Sequence, residues 1–324
     1  MTAFTRMVGC RVAIQQAPMG TVSSPDLAVA VADAGGVGMI TAMGMDAATL
    51  DGLLADMSSR TLGVLGANFL THGIDRDAVA AAARRVRLVD FFWTDPDSSL
   101  VEIVHREGAL VSWQVGSLEE ARVAADAGSD LIVVQGTEAG GHIRGDSAML
   151  PLLDVVLDHV DVPVLAAGGI VSGRTLAAVL AAGAAGARIG TRFIATQESG
   201  AHPDYKDAVI AAGPGSTEIS DQFADCPLCA TLPRARVLSS CVASVGALAS
   251  EIAGETRMGD AIVPVTRHSG LPPGAAATGH IDAMAMYAGE GVIAVNAVET
   301  VATVIDELTM VAEQLLANSS AISD

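Results

Sequence analysis

The chain has 324 residues, 51% of them hydrophobic, enough for a large core and too many for a disordered chain. Its 37 acidic and 18 basic residues give a formal charge of −19, which argues against a surface built for nucleic acid or an anionic membrane. The densest basic group, Arg84, Arg85 and Arg87, reads as a solvated helix end.

Residues 1–12 lack the apolar stretch of a signal peptide, and Asp33 and Arg188 interrupt the best membrane-span candidates. The expectation is a cytoplasmic protein with reduced thiols. From residue 12 to about residue 200 one rhythm repeats: a short apolar run, an alanine-rich helical pattern, then a glycine or charged turn. Strands are expected at 12–17, 37–41, 62–68, 88–93, 109–115, 131–135, 162–167 and 187–190. The first helix, 25–34, follows Ser24 as N-cap with Pro25 at its first position. Helices 46–59, 75–85 and 97–107 each open on an aspartate, which suits the helix dipole. Helix 117–127 starts with a capping box of Ser117 and Glu120, and helices 151–159 and 172–182 complete the set.

Continuous apolar strands alternating with helices specify a parallel sheet covered on both faces. Eight such units make the fold class α/β, a TIM (β/α)8 barrel over residues 1–200, in preference to an open doubly wound sheet. Residues 201–283 break the rhythm and hold three of the four cysteines; they are expected as an insertion after strand 8 that caps the substrate side. Residues 284–324 are again apolar and periodic and are expected to supply the last barrel helix, packed back on the outside.

In such a barrel the chemistry sits at the C-terminal strand ends. The residues there are Ala17, Pro18 and Met19 after strand 1, Asn68 after strand 3, Gln114 at strand 5 and Gln135 at strand 6. Strands 7 and 8 end in Gly168-Gly169 and Gly190-Thr191. Glycines at neighbouring strand ends let backbone N–H groups approach an anion, and the helix starts beyond them add positive potential, so the two pairs point to a phosphate site. The loop after strand 6 runs Gly136-Thr137-Glu138-Ala139-Gly140-Gly141-His142. Gly140 and Gly141 permit tight backbone geometry, and His142 is an acid or base suited to neutral pH. Glu138 either orients that histidine or solvates the turn. Tyr287 either packs in the core or faces a ligand. Cys226-x-x-Cys229, with Cys241, reads as structural thiols in preference to a redox pair or a metal site, because the spacing matches no standard zinc pattern. Lys206 is the one lysine, so a Schiff-base lyase would have to use it from within the insertion.

The stretch from Val134 to His142 resembles the signature of the nitronate monooxygenases, formerly called 2-nitropropane dioxygenases. So do Pro163 to Ile170, the run Gly190-Thr191-Arg192-Phe193, Ala17-Pro18-Met19-Gly20, Asn68 and Tyr287-Ala288-Gly289. The resemblance covers about residues 12–200 well. FMN-dependent enoyl-acyl-carrier-protein reductases look similar in the Glu-x-Gly-Gly-His segment, and some FMN-dependent NAD(P)H:quinone reductases share the barrel. The resemblance implies FMN as cofactor, with its phosphate at Gly168, Gly169, Gly190 and Thr191. It sets Ala17, Pro18 and Met19 along the isoalloxazine, and Gly140 and Gly141 beside the cofactor. Asn68, Gln114 and Gln135 would hydrogen-bond the flavin edge or ribityl chain, and His142 would sit over the flavin near substrate. Tyr287 is read as facing substrate, and Trp93, which is no part of the family pattern, sets a large ring where substrate or flavin would lie. The implied reaction is oxidation of an alkyl nitronate by O2 to a carbonyl compound and nitrite, in a protein for which a homodimer is open. The alternative is an FMN-dependent NAD(P)H reductase. Arg144, Arg192 and Arg267 form no cluster that would mark a nicotinamide phosphate or carrier-protein mouth, which favours the nitronate. The segment Phe91-Phe92-Trp93-Thr94-Asp95-Pro96 departs from the family pattern after strand 4.

Overall fold

The computed structural model describes residues 1–70, 73–93, 95–226, 232–258 and 261–320. Eight parallel strands close into a barrel: β1 (Ile14–Gln16), β2 (Val37–Thr41), β3 (Val64–Leu70), β4 (Leu88–Phe92), β5 (Leu110–Val115), β6 (Leu131–Gln135), β7 (Val164–Ala167) and β8 (Gly186–Ile189), with β8 pairing back onto β1. Each overlaps an expected run. The outer ring is α1 (Pro25–Asp33), α2 (Ala47–Arg60), α3 (Arg76–Ala83), α4 (Ser98–Arg106), α5 (Leu118–Asp126), α6 (Met149–Leu157), α7 (Gly173–Ala181) and α8 (Val301–Ser320).

The helix starts follow the local chemistry. The side chains of Ser24, Asp46, Asp75 and Asp97 each accept a backbone N–H from the first turn they precede. Ser117 accepts from the Glu120 N–H, but the Glu120 carboxylate accepts from Gly116 N and pairs with Arg144, so the expected box does not close on Ser117 itself. A closed reciprocal box stands instead at Ser172 and Thr175.

The barrel interior is layered. Its N-terminal end is apolar, built from Val37, Leu88 and Leu131 at the starts of β2, β4 and β6, and covered by Phe4 and Val8 of the short helix Ala3–Val8. Above that layer the interior turns polar, with Gln15, Asn68, Asp90, Ser112, Gln114 and Arg188 all buried.

After β8 the chain leaves the barrel. Thr217–Ser220 and Ala235–Leu238 pair antiparallel, and the second of these also pairs with Gly141–His142. A separate sheet joins Ile252–Met258 to Ala261–Thr266 and Thr278–Gly279. A second core, with Tyr205, Phe223, Val237 and Cys241 at its heart, holds the excursion together. The last helix is shorter than expected: it begins at Val301, not at residue 284. Met284, Ala285, Met286 and Ala288 belong to the second core, and Tyr287 bridges to Val237. That stretch is apolar because it is enclosed, not because it is helical. α8 does pack back on the barrel, against α7 and α1.

Candidate active site

A cavity of about 440 Å³ opens at the C-terminal strand ends. Its walls include Ala17, Pro18, Met19, Asn68, Gln114, Gln135, Gly140, Gly141, His142, Gly168, Gly169, Gly190, Thr191 and Tyr287. The fold thus brings together the expected catalytic and cofactor-binding residues with Tyr287, while Trp93, Glu138 and Lys206 lie outside the lining.

One wall is built by glycine. Gly168 and Gly169 lie at φ +117° and +68°, where an L side chain is strained, and a Cβ on Gly168 would stand 3.1 Å from Ala139 N. Gly190 precedes the short helix Thr191–Ile194 and sits against Ala17. Thr191 Oγ1 accepts from Gly289 N at 2.9 Å, which ties the segment 288–291 to the β8 loop. Among the described residues, no protein acceptor takes the N–H groups of Gly169 or Thr191. These donors and the close backbone approach fit a phosphate group.

The floor is a buried ion pair that composition does not advertise. Arg188 on β8, 3% exposed, pairs with Asp90 on β4, 0% exposed. Arg188 also donates to Gln15 Oε1 at 3.0 Å and to Gln114 Oε1. Asp90 further accepts from Asn68 Nδ2 at 2.8 Å and from the Ser112 hydroxyl. The pair therefore orients two expected flavin ligands: the amide end that Asn68 keeps for a ligand is Oδ1, and the end that Gln114 keeps is Nε2. Gln135 is used differently. Its Nε2 donates to His142 O at 2.9 Å and its Oε1 accepts from Arg144 N at 3.3 Å, so it holds the loop that carries the histidine.

His142 is fixed at both levels of structure. Its backbone segment pairs with Ala235 and Arg236 of the excursion. Its ring lies 5.5 Å from Trp93, edge on, and 5.6 Å from Tyr287. The Tyr287 hydroxyl is anchored by donating to Gly270 O at 2.7 Å. His142 Nε2 lies 3.3 Å from Cys226 Sγ, a contact that sequence reasoning missed because it joins two distant loops. Glu138 does not orient the ring: its carboxylate accepts from Met149 N at 3.0 Å and supplies the N-terminal cap of α6 that Ala148 lacks.

Trp93 departs from its expected place against substrate. It is 2% exposed and does not line the cavity. It is the one non-glycine residue with positive φ among those described, at +75°, and the Arg144 guanidinium lies 6.0 Å from its ring centre. A bulky side chain held there is strained. Its contact with His142 makes it a support for that ring.

Lys206 does not line the cavity either; its ammonium donates to the carbonyls of Thr196 and Ser199, and burial lowers its proton affinity. Desolvation pushes the buried Cys10 and Cys241 thiols up to about 11 and about 12. Cys229 lies outside the described residues. Among those described, no three His, Cys, Asp or Glu side chains are grouped to hold a metal, and no helix is long and apolar enough to cross a membrane.

Fold and comparison together define the class, a (β/α)8 barrel of the nitronate monooxygenase type. A sequence model described as nitronate monooxygenase matches residues 65–310, and the chain belongs to that family, whose members are in general flavin-dependent. A curated relative from Rhodococcus jostii, named (3aS,4S,5R,7aS)-5-hydroxy-7a-methyl-1-oxo-octahydro-1H-indene-4-carboxyl-CoA dehydrogenase, is 36% identical over 68% of this chain and 62% of its own length. The match spans less than two thirds of the length of that relative and of the next two. Among solved structures, a FabK variant from Thermotoga maritima is 26% identical with a TM-score of 0.82, covering 99% of both chains. A nitroalkane oxidase from Streptomyces ansochromogenes is 27% identical with a TM-score of 0.72, covering 100% of both chains.

Proposed function

We propose that the protein binds FMN in this cavity and oxidises alkyl nitronates with O2, giving a carbonyl compound and nitrite. The observation that carries this reading is the presence of His142 in the same 440 Å³ cavity as the two glycine pairs. Gly168, Gly169, Gly190 and Thr191 would hold the phosphate, and Ala17, Pro18 and Met19, with Asn68 Oδ1 and Gln114 Nε2, would face the ring system or ribityl chain. FMN, when bound, supplies the redox chemistry. His142 takes the acidic C–H proton of a nitroalkane or orients a nitronate already ionised. Tyr287 stands beside it on the substrate side. The cytoplasm, which keeps thiols reduced, is the proposed place of work.

A second reading, an FMN-dependent NAD(P)H reductase acting on an enoyl thioester or quinone, is favoured by the high TM-score to FabK and the identity to a CoA-thioester dehydrogenase. One assay separates the two. Aerobic incubation with propyl-2-nitronate is expected to release nitrite in proportion to the flavin content. NAD(P)H consumption with no nitrite would favour the reductase.

The phosphate assignment makes its own prediction. Valine at position 168 faces a backbone strain of about 1–3 kcal/mol and crowds the Ala139 amide. Gly168→Val is expected to lower flavin affinity by about tenfold or more, read as flavin absorbance retained per protein after gel filtration. Full retention would place the phosphate elsewhere.

A further inference from the structure

We propose that Cys226 and His142 form an activated thiol pair, through which the cavity captures soft electrophiles of the α,β-unsaturated carbonyl class as thioether adducts. The thiolate, not the thiol, is the nucleophile, and an imidazole within hydrogen-bond reach can take the proton that unmasks it. Here Cys226 Sγ lies 3.3 Å from His142 Nε2, and both residues line the same cavity. The base is itself held in place, by the edge of Trp93 and by Tyr287, whose hydroxyl is anchored on Gly270 O. Nucleophile, base and supports for the base are thus all present.

The remaining described cysteines make the contrast. Cys10 and Cys241 are buried, and desolvation pushes their thiols up to about 11 and about 12, far from thiolate formation at neutral pH. Cys226 is half-buried, faces the cavity and carries a thiol with a basic neighbour. Leu70, Phe92 and Leu271 give the cavity apolar wall, which suits the hydrocarbon part of a small enone.

The step balances without an oxidant. The proton of Cys226 Sγ moves to His142 Nε2. The sulfur forms a bond to the β-carbon of the electrophile while the C=C π pair shifts toward the α-carbon and carbonyl. The α-carbon then takes the proton back from His142, leaving a neutral thioether and a neutral imidazole. Nothing is oxidised or reduced, and no group leaves.

The test uses the flavin-loaded protein and N-ethylmaleimide as probe, with peptide mass mapping over time. Neither nitronate nor O2 enters the reaction, so its outcome is independent of the nitrite assay. The expected result is an adduct on Cys226 ahead of every other cysteine, with Cys10 and Cys241 unmodified. The rate at Cys226 is expected to fall about tenfold or more in His142→Gln, in proportion to the lost thiolate. Retained flavin absorbance in that variant shows that it is folded. A second comparison needs no variant: Cys226 should react faster in the native protein than in urea, where all four thiols are equally open. Modification of Cys229 ahead of Cys226, an unchanged rate in folded His142→Gln, or a native rate at Cys226 below the unfolded one would each overturn the proposal.

Discussion

Replacing His142 with alanine is expected to lower kcat for oxidation of a neutral nitroalkane by about 10²- to 10⁴-fold, the usual contribution of a positioned acid or base. The flavin should stay bound, because the glycine cradle at 168–169 and 190–191 does not include the imidazole. The local backbone should survive as well, since its pairing with Ala235 and Arg236 uses main-chain groups. The split between parameters is informative. Loss of a proton acceptor lowers kcat, whereas loss of a mere contact raises KM with kcat unchanged. Supplying the substrate as preformed nitronate should recover part of the loss relative to the parent nitroalkane, since no C–H proton then has to be removed. Steady-state nitrite release with both substrate forms is the check. A variant that keeps its flavin and turns over at the parent rate would remove His142 from the chemistry.

The second large effect concerns the floor of the site. Asp90→Ala leaves the Arg188 guanidinium buried with no carboxylate to balance it. Removing one member of a buried pair typically costs about 3–5 kcal/mol. The loss should appear as a lower urea midpoint with little change in slope, because the folded state exposes little additional surface. Asn68 also loses its acceptor at Asp90, so flavin affinity should fall with stability. The double variant Asp90→Leu with Arg188→Met removes both charges together and should recover part of the stability, because an apolar pair carries no desolvation penalty, while the buried Gln15, Gln114, Asn68 and Ser112 side chains lose these partners and hold back the rest. It should not recover flavin affinity, since Gln114 and Gln15 have then lost the guanidinium that orients them. A single variant as stable as the parent would mean that the pair does not hold the barrel interior together.

The barrel was readable because its strands are buried on both faces. Runs such as Leu131–Gln135 need no tertiary information to be recognised, and Ser24 and the opening aspartates mark the helix starts by local hydrogen bonding alone. The glycine pairs were readable for a related reason: backbone geometry at 168–169 demands a residue without Cβ whatever surrounds it. The stretch 284–288 was not, because an enclosed irregular stretch and a helix core face carry the same apolar composition. Asp90 and Arg188 did leave a signal. Each is a charge inside an apolar strand, in Leu-Val-Asp-Phe-Phe and Gly-Ala-Arg-Ile, and a charge there must face a partner across the barrel. Which charges meet depends on strand order and register, which no local pattern contains. The roles of Trp93 and Cys226 depend in the same way on loops brought together from far apart, residues 93 and 142, 142 and 226, whereas that of Gln135 depends on how the adjoining loop 136–144 folds back on it.

The most direct test of the account is an anaerobic absorbance titration of the purified protein with a small alkyl nitronate. A yellow chromophore that bleaches as nitronate is added, and returns when O2 is admitted with release of nitrite, is the predicted result. A flavin band that ignores the nitronate but bleaches with NAD(P)H would contradict the nitronate assignment, and a colourless protein that takes up no FMN would contradict the phosphate cradle on which that assignment stands.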